Sequence, residues 1–161
     1  MVRDILTYEK DKEILTQKSE PVKEITEEIK ELIQDLKDTL AIHEGGVGIS
    51  AIQIGIPKRV CLIKYNGTIY TLINPEITKT RGEIDFEEGC LSVPGLATKT
   101  KRAQKVWCSY MDEDGRQKEL ANGGLCSVII QHELDHFEGT CPLFNAYEEA
   151  FASEPNKENN N

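Results

Sequence analysis

Long apolar runs are missing from this chain, and with them any segment that could span a membrane as a helix, which takes roughly 20 consecutive apolar residues. The opening MVRDILTYEKDKEIL has no apolar stretch of the signal-peptide kind, and its acids argue against a transit peptide. A cytoplasmic location and no membrane partner are the expectation. Positive charge is scarce too: 19 Lys and Arg face 28 Asp and Glu, a formal net charge of −9. A field of that sign repels phosphate backbones and argues against direct nucleic-acid binding. The basic stretch KTKRAQK at 99–105 is the local exception. A solvated strand edge guarded by lysine accounts for it, and no function is assigned to it. The five cysteines form an odd, irregular set without a CxxC pair, which suits a reducing compartment better than a disulfide framework. Most of them read as small buried hydrophobes. Aromatics make up only 6%, yet 39% of the residues are hydrophobic, enough for one core in a chain of 161.

Apolar residues recur at Ile25, Ile29, Leu32, Ile33, Leu36 and Leu40, so the spacing predicts an amphipathic helix over 25–43, stopped by Gly45 and Gly46. The following GVGISAIQIG has too many glycines for another helix and reads as a loop leading into extended chain. RVCLIKY and TIYTLI flank Asn66-Gly67, a pair that favours a two-residue hairpin because both positions take positive φ. KVWCSYMD and RQKELA flank a second turn at 112–115, and the acidic segment 82–88 is expected beside another strand. Helical spacing returns through Leu125, Val128, Ile129, Leu134 and Phe137, with Gly139 as a left-handed stop. After Phe144 only a brief AYEEAFAS is expected to be helical, and the apolar-poor 153–161 is expected to be a disordered tail. Residues 1–152 are read as a single α+β domain, with no internal repeat.

Within QHELDHFEG, His132 and His136 stand four apart on the expected helix, so both imidazoles can reach one ion. Glu133 beside them can accept a proton from water activated by that ion. A helix with two unrelated histidines is the plain alternative, and a catalytic site needs a third protein ligand and an open position. The third histidine of a metzincin is excluded, because Pro142 occupies its place. Downstream acids Glu148, Glu149 and Glu154 fall in or near a short terminal segment with little core to fix them. Cys90, in EEGCLSVPG, is the best remaining candidate, and a thiolate suits a soft divalent metal. Taken alone it would more often be a buried structural cysteine. Two other patterns carry nothing: the GxGxxA of 46–51 follows a helix and lacks a βαβ unit, and the DEDG of 112–115 lacks the glycine and glutamate of a calcium loop.

Three segments, GVGISAIQ at 46–53, EGCLS at 88–92 and QHELDH at 131–136, stand in the order of the peptide deformylase signatures, and the chain resembles that family from KSEPV at 18–22 through Leu143 and Phe144. The resemblance implies antiparallel strands packed around the motif helix, with one divalent metal on Cys90, His132 and His136. It implies ferrous iron in the cell, with zinc, nickel or cobalt also accepted, and removal of the formyl group from N-formylmethionyl peptides and nascent chains near the ribosome. By the same resemblance Glu133 carries protons, and Gln53 and the Leu91 backbone N–H stabilise the oxyanion. Gly46, Gly48 and Ile49 lie along the extended substrate with Gly89, and Val128, Ile129 and His132 line the methionine pocket.

The chain departs from the family at Ser50, where members commonly have alanine, a change expected to be tolerated. It also departs in its brief terminal helix. It looks like a shortened member, with a virus as a candidate source and the host cytoplasm as its location in that case. A metalloprotease using His132, Glu133 and His136, and a structural zinc module with four protein ligands, are the two other classes carried forward.

Overall fold

The computed structural model describes residues 1–152, and the expected tail at 153–161 lies outside the described residues. Two helices, α1 (Tyr8–Leu15) and α2 (Glu27–Ala41), precede seven strands, followed by α3 (Gly124–Phe137) and α4 (Pro142–Ala152). The strands are β1 (Gly48–Ser50), β2 (Val60–Tyr65), β3 (Thr68–Arg81), β4 (Ile84–Cys90), β5 (Val93–Arg102), β6 (Lys105–Met111) and β7 (Gln117–Gly123). They form an antiparallel five-stranded sheet in the order β1-β2-β3-β6-β7 and a two-stranded ribbon of β4 and β5. The expected α+β class holds.

Strand β2 explains the layering. Its side chains alternate between faces, and four successive residues, Val60, Cys61, Leu62 and Ile63, are fully buried. Val60 and Leu62 pack with Ile33, Leu36 and Leu40 of α2. Cys61 and Ile63 pack with Ile129, Ile130 and Phe137 of α3. A strand covered on both sides reads as a continuous apolar run, and this one lies between an amphipathic helix and the motif helix. A third cluster joins Tyr8 and Leu15 of α1 to Val93 of β5 and to Cys141, Leu143 and Phe144 around the start of α4.

Local signals placed most boundaries. Thr26 accepts from the Ile29 N–H at 3.4 Å and caps α2. Asn66 and Gly67 both have positive φ, 50° and 76°, as the hairpin between β2 and β3 requires. Gly139, at φ 72°, ends the α3 region, and an added Cβ there would fall 2.2 Å from the Thr16 carbonyl oxygen.

The structure corrects three expectations and adds one helix. GVGISAIQIG contains strand β1 and a 3-10 turn at Ala51–Ile54 rather than a loop running into plain extended chain. Helix α1 went unread because only Tyr8 and Leu15 are buried, too few for a periodic stripe. Helix α4 starts at Pro142, earlier than expected, with proline at the first helical position where its missing N–H is harmless. The basic stretch is not a lysine-guarded edge alone: Lys99 and Lys101 stand opposite Glu87 and Asp85 across the ribbon.

Candidate metal centre

Helix α3 carries the two motif histidines, and the rings of His132 and His136 lie 5.1 Å apart, centroid to centroid. The helix is pinned by Gln131, whose amide donates to the Ala103 carbonyl at 2.9 Å and accepts from the Ala103 N–H at 2.9 Å. Ser127 Oγ donates to the same carbonyl at 2.7 Å. The corner between β5 and β6 thus sets the height and rotation of the motif.

The ribbon supplies the sulfur. Cys90, the last residue of β4, brings Sγ to 3.5 Å from His136 Nε2. Its neighbour Glu88 is buried and accepts both Nε and Nη2 of Arg102 at 2.8 Å, with a further hydrogen bond from Thr100 Oγ1. Glu88 also meets His132 Nδ1 at 2.9 Å, which turns His132 Nε2 toward the cluster, and Arg102 Nη1 reaches Asp135 at 2.7 Å. Burial works against ionisation of Glu88, but Arg102, His132 and Thr100 outweigh it and hold the carboxyl at about 2. Burial would lower the His132 imidazole, yet the Glu88 hydrogen bond and the Glu133 charge raise it to about 9. His136 is pushed well below the ordinary histidine value by burial and by the charges of His132 and Arg102. Its Nδ1 has no hydrogen-bond partner among the described residues.

One ligand atom each from Cys90, His132, His136 and Cys141 lies within 4.8 Å of every other. Sulfur and imidazole donors at that spacing fit a borderline-soft divalent ion. Cys141 was read from sequence only as a packing cysteine; five residues past His136 and beyond a glycine stop, it carries no spacing signal.

Glu133 is almost fully buried and accepts from Ser50 Oγ at 2.8 Å. Burial raises its carboxyl to about 7, against the lowering pull of His132 and of the Ser50 hydroxyl. Gly48 faces it so closely that an added Cβ would lie 2.9 Å from Glu133 Oε1. The Ser50 hydroxyl is therefore a partner of the buried acid, a role the sequence comparison with alanine did not suggest. Gln53 donates from Nε2 to Ser92 Oγ at 3.1 Å and approaches Cys90 Sγ at 3.7 Å.

A cleft of about 650 Å³ opens onto this group, lined by Gly46, Gly48, Gln53, Gly89, Cys90 and Leu91 and by Val128, Ile129, His132 and Glu133. Two of the residues singled out from the sequence lie apart. Ile49 is fully buried under α2, so only its backbone is available to a ligand along β1. His136 is fully buried behind the cleft wall.

A helix bearing two histidines and a buried acid, met by a cysteine from a separate ribbon beside a cleft, defines a metal-dependent hydrolase. A family profile for polypeptide deformylase matches residues 2–149. The chain is 39% identical over 147 residues to the peptide deformylase of Syntrophomonas wolfei, covering 91% of this chain and 95% of that one. It is 43% identical over 145 residues to that of Aquifex aeolicus, covering 86% and 84%. Among solved structures, a peptide deformylase from Legionella pneumophila superposes with a TM-score of 0.83 at 34% identity, over 96% of this chain and 100% of that one. A probable peptide deformylase from Synechococcus phage S-SSM7 gives 0.80 at 31% identity, over 90% and 99%. The chain belongs to the polypeptide deformylase family. It is a metal-dependent hydrolase that removes the N-terminal formyl group from the formyl-methionine of nascent polypeptides, releasing formate.

Proposed function

We propose that Cys90 Sγ and the Nε2 atoms of His132 and His136 hold the catalytic ion, with ferrous iron resident in the cell, and that Glu133 carries the proton of deformylation. The observation that carries this reading is the convergence of those ligand atoms within 4.8 Å, beside the buried Glu133 carboxylate that lines the cleft. When bound, the ion supplies Lewis acidity toward water and the formyl oxygen.

Glu133 accepts a proton from the attacking water and returns it to the leaving amine nitrogen. A carboxyl held at about 7 can do both near neutral pH. Gln53 Nε2 and the Leu91 backbone N–H donate to the formyl oxygen as charge grows there, an interaction stronger in the transition state than in the ground state. Strand β1 is an edge strand, so an extended peptide can pair along it, and Gly46 and Gly48 offer no side chain to keep that peptide away. Gly89 lines the same cleft. Val128 and Ile129, with the His132 ring, form an apolar wall for the methionine side chain.

Residues 1–152 are the catalytic unit in this reading. It acts in the cytoplasm on nascent chains near the ribosome, or in a host's cytoplasm if the gene is viral. No helix among the described residues is long and apolar enough to cross a membrane, which is compatible with that location. The test is formate release from formyl-Met-Ala-Ser by protein reconstituted anaerobically with ferrous iron or nickel. Glu133→Ala should keep its metal and lose about a hundred- to ten-thousand-fold in rate. Wild-type turnover by that variant would remove Glu133 from the mechanism.

A further inference from the structure

We propose that Cys141 is a fourth protein ligand to the ion, so that the resting centre is a set of two cysteines and two histidines. This rests on the assignment of Cys90, His132 and His136 proposed above. Bond lengths of about 2.3 Å to sulfur and 2.0 to 2.1 Å to nitrogen put tetrahedral ligand atoms roughly 3.3 to 3.8 Å apart. The four donors already lie within 4.8 Å of one another, and the Cys90 Sγ to His136 Nε2 edge is 3.5 Å. Small side-chain movements close the set.

The chain beyond α3 is built to hold that sulfur in place. Gly139 turns the backbone against the Thr16 carbonyl in a space where no side chain fits, and two residues on Cys141 stands within 4.8 Å of the His136 ligand atom. Cys141 directly precedes Pro142, the first residue of α4, and a helix N-terminus favours the thiolate that a metal ligand must be. Its surroundings are rigid: Leu143 is fully buried, and the Phe144 ring stacks on Tyr8 at 4.4 Å and meets the His136 ring at 5.9 Å. Cys141 itself is only 4% exposed.

Direction matters as well as distance. Cys141 lines a hollow beside α4 with Thr140 and Pro142 and is absent from the lining of the substrate cleft, as is His136. It therefore approaches from the His136 side, away from the cleft. One oxygen ligand, of water or of the formyl group, can be taken up from the cleft side by expansion to five ligands, a change that catalytic zinc sites make. The fourth ligand tightens the centre without closing it to substrate.

X-ray absorption on the zinc-loaded wild-type protein reads the donor set directly. Two sulfurs with two nitrogens are expected. One sulfur with two nitrogens would overturn the role of Cys141 and leave the three-residue assignment standing. No sulfur would overturn both. In the cobalt-loaded protein, Cys141→Ser and Cys141→Ala should each lose roughly half of the sulfur-to-cobalt absorption, since one of two thiolates is gone. Zinc affinity should fall about tenfold or more, the loss that even an outer-sphere partner can cause. An unchanged cobalt spectrum in a folded variant would overturn the proposal, and the wild-type measurement does not depend on either variant folding.

Discussion

Strands β2 and β4 both reach helix α3, and they do so by opposite physics. Strand β2 sends Cys61 and Ile63 into the apolar cluster under Ile129 and Ile130 and is buried along both faces. In β4 only Glu88 is buried, and it is a carboxylate, tied to Arg102 and His132. The sheet fixes where α3 lies; the ribbon fixes how Cys90 meets it. Apolar packing tolerates small slips because it has no direction, whereas a bidentate guanidinium-carboxylate pair has one geometry. The centre stands on the seam between the two, with its histidines on the packed side and Cys90 on the ion-paired side.

Arg102→Leu should separate the two regions most sharply. It leaves the Glu88 carboxylate buried without its main partner, which costs about 3 to 5 kcal/mol. Through His132 it should also weaken metal binding about ten- to a hundredfold, measured by competition with a chelator. Leu36→Ala, on the far face of the sheet, should cost a comparable 2 to 5 kcal/mol or so in urea unfolding. It should leave metal affinity unchanged, and a parallel loss of affinity would mean that sheet and ribbon are not independent supports.

Acid titration sharpens the comparison further. The Glu88 carboxyl is held from its ordinary 4.5 down to about 2, so its stabilisation is present above 4.5 and lost as pH falls through that window. Arg102→Leu should flatten stability between those values. Glu133, raised from 4.5 to about 7, has the opposite sign: the folded state keeps a proton there that the unfolded chain releases, so its contribution falls as pH rises across that range. The smallest effect is expected for Ser50→Ala, which removes one hydrogen bond to Glu133 and about 1 kcal/mol of stability. The acid limb of its rate profile should move to higher pH while the plateau rate is kept.

What could be read from the sequence was local. The Asn66-Gly67 hairpin, the stripe of α2 and the four-residue spacing of His132 and His136 each depend on neighbours a few positions apart. The ordered signatures around Gly48, Cys90 and His132 added the family and its expected ligands. Glu88, Arg102 and Asp135 stayed unread because nothing in EEGC or TKTKR announces that these charges meet on a helix more than thirty residues onward. Helix α1 stayed unread because only Tyr8 and Leu15 are buried in it, and Tyr8 stacks on Phe144, far along the chain. Cys141 looked like any small apolar residue until the turn at Gly139 brought it back beside His136.

Gly48 lies against Glu133 with no room for a methyl group. An inhibitor running along β1 would therefore be hard to evade by mutation at that position. Any side chain large enough to obstruct the drug would first displace the Glu133 carboxylate, so under the role proposed for that acid, resistance through residue 48 would be bought with activity.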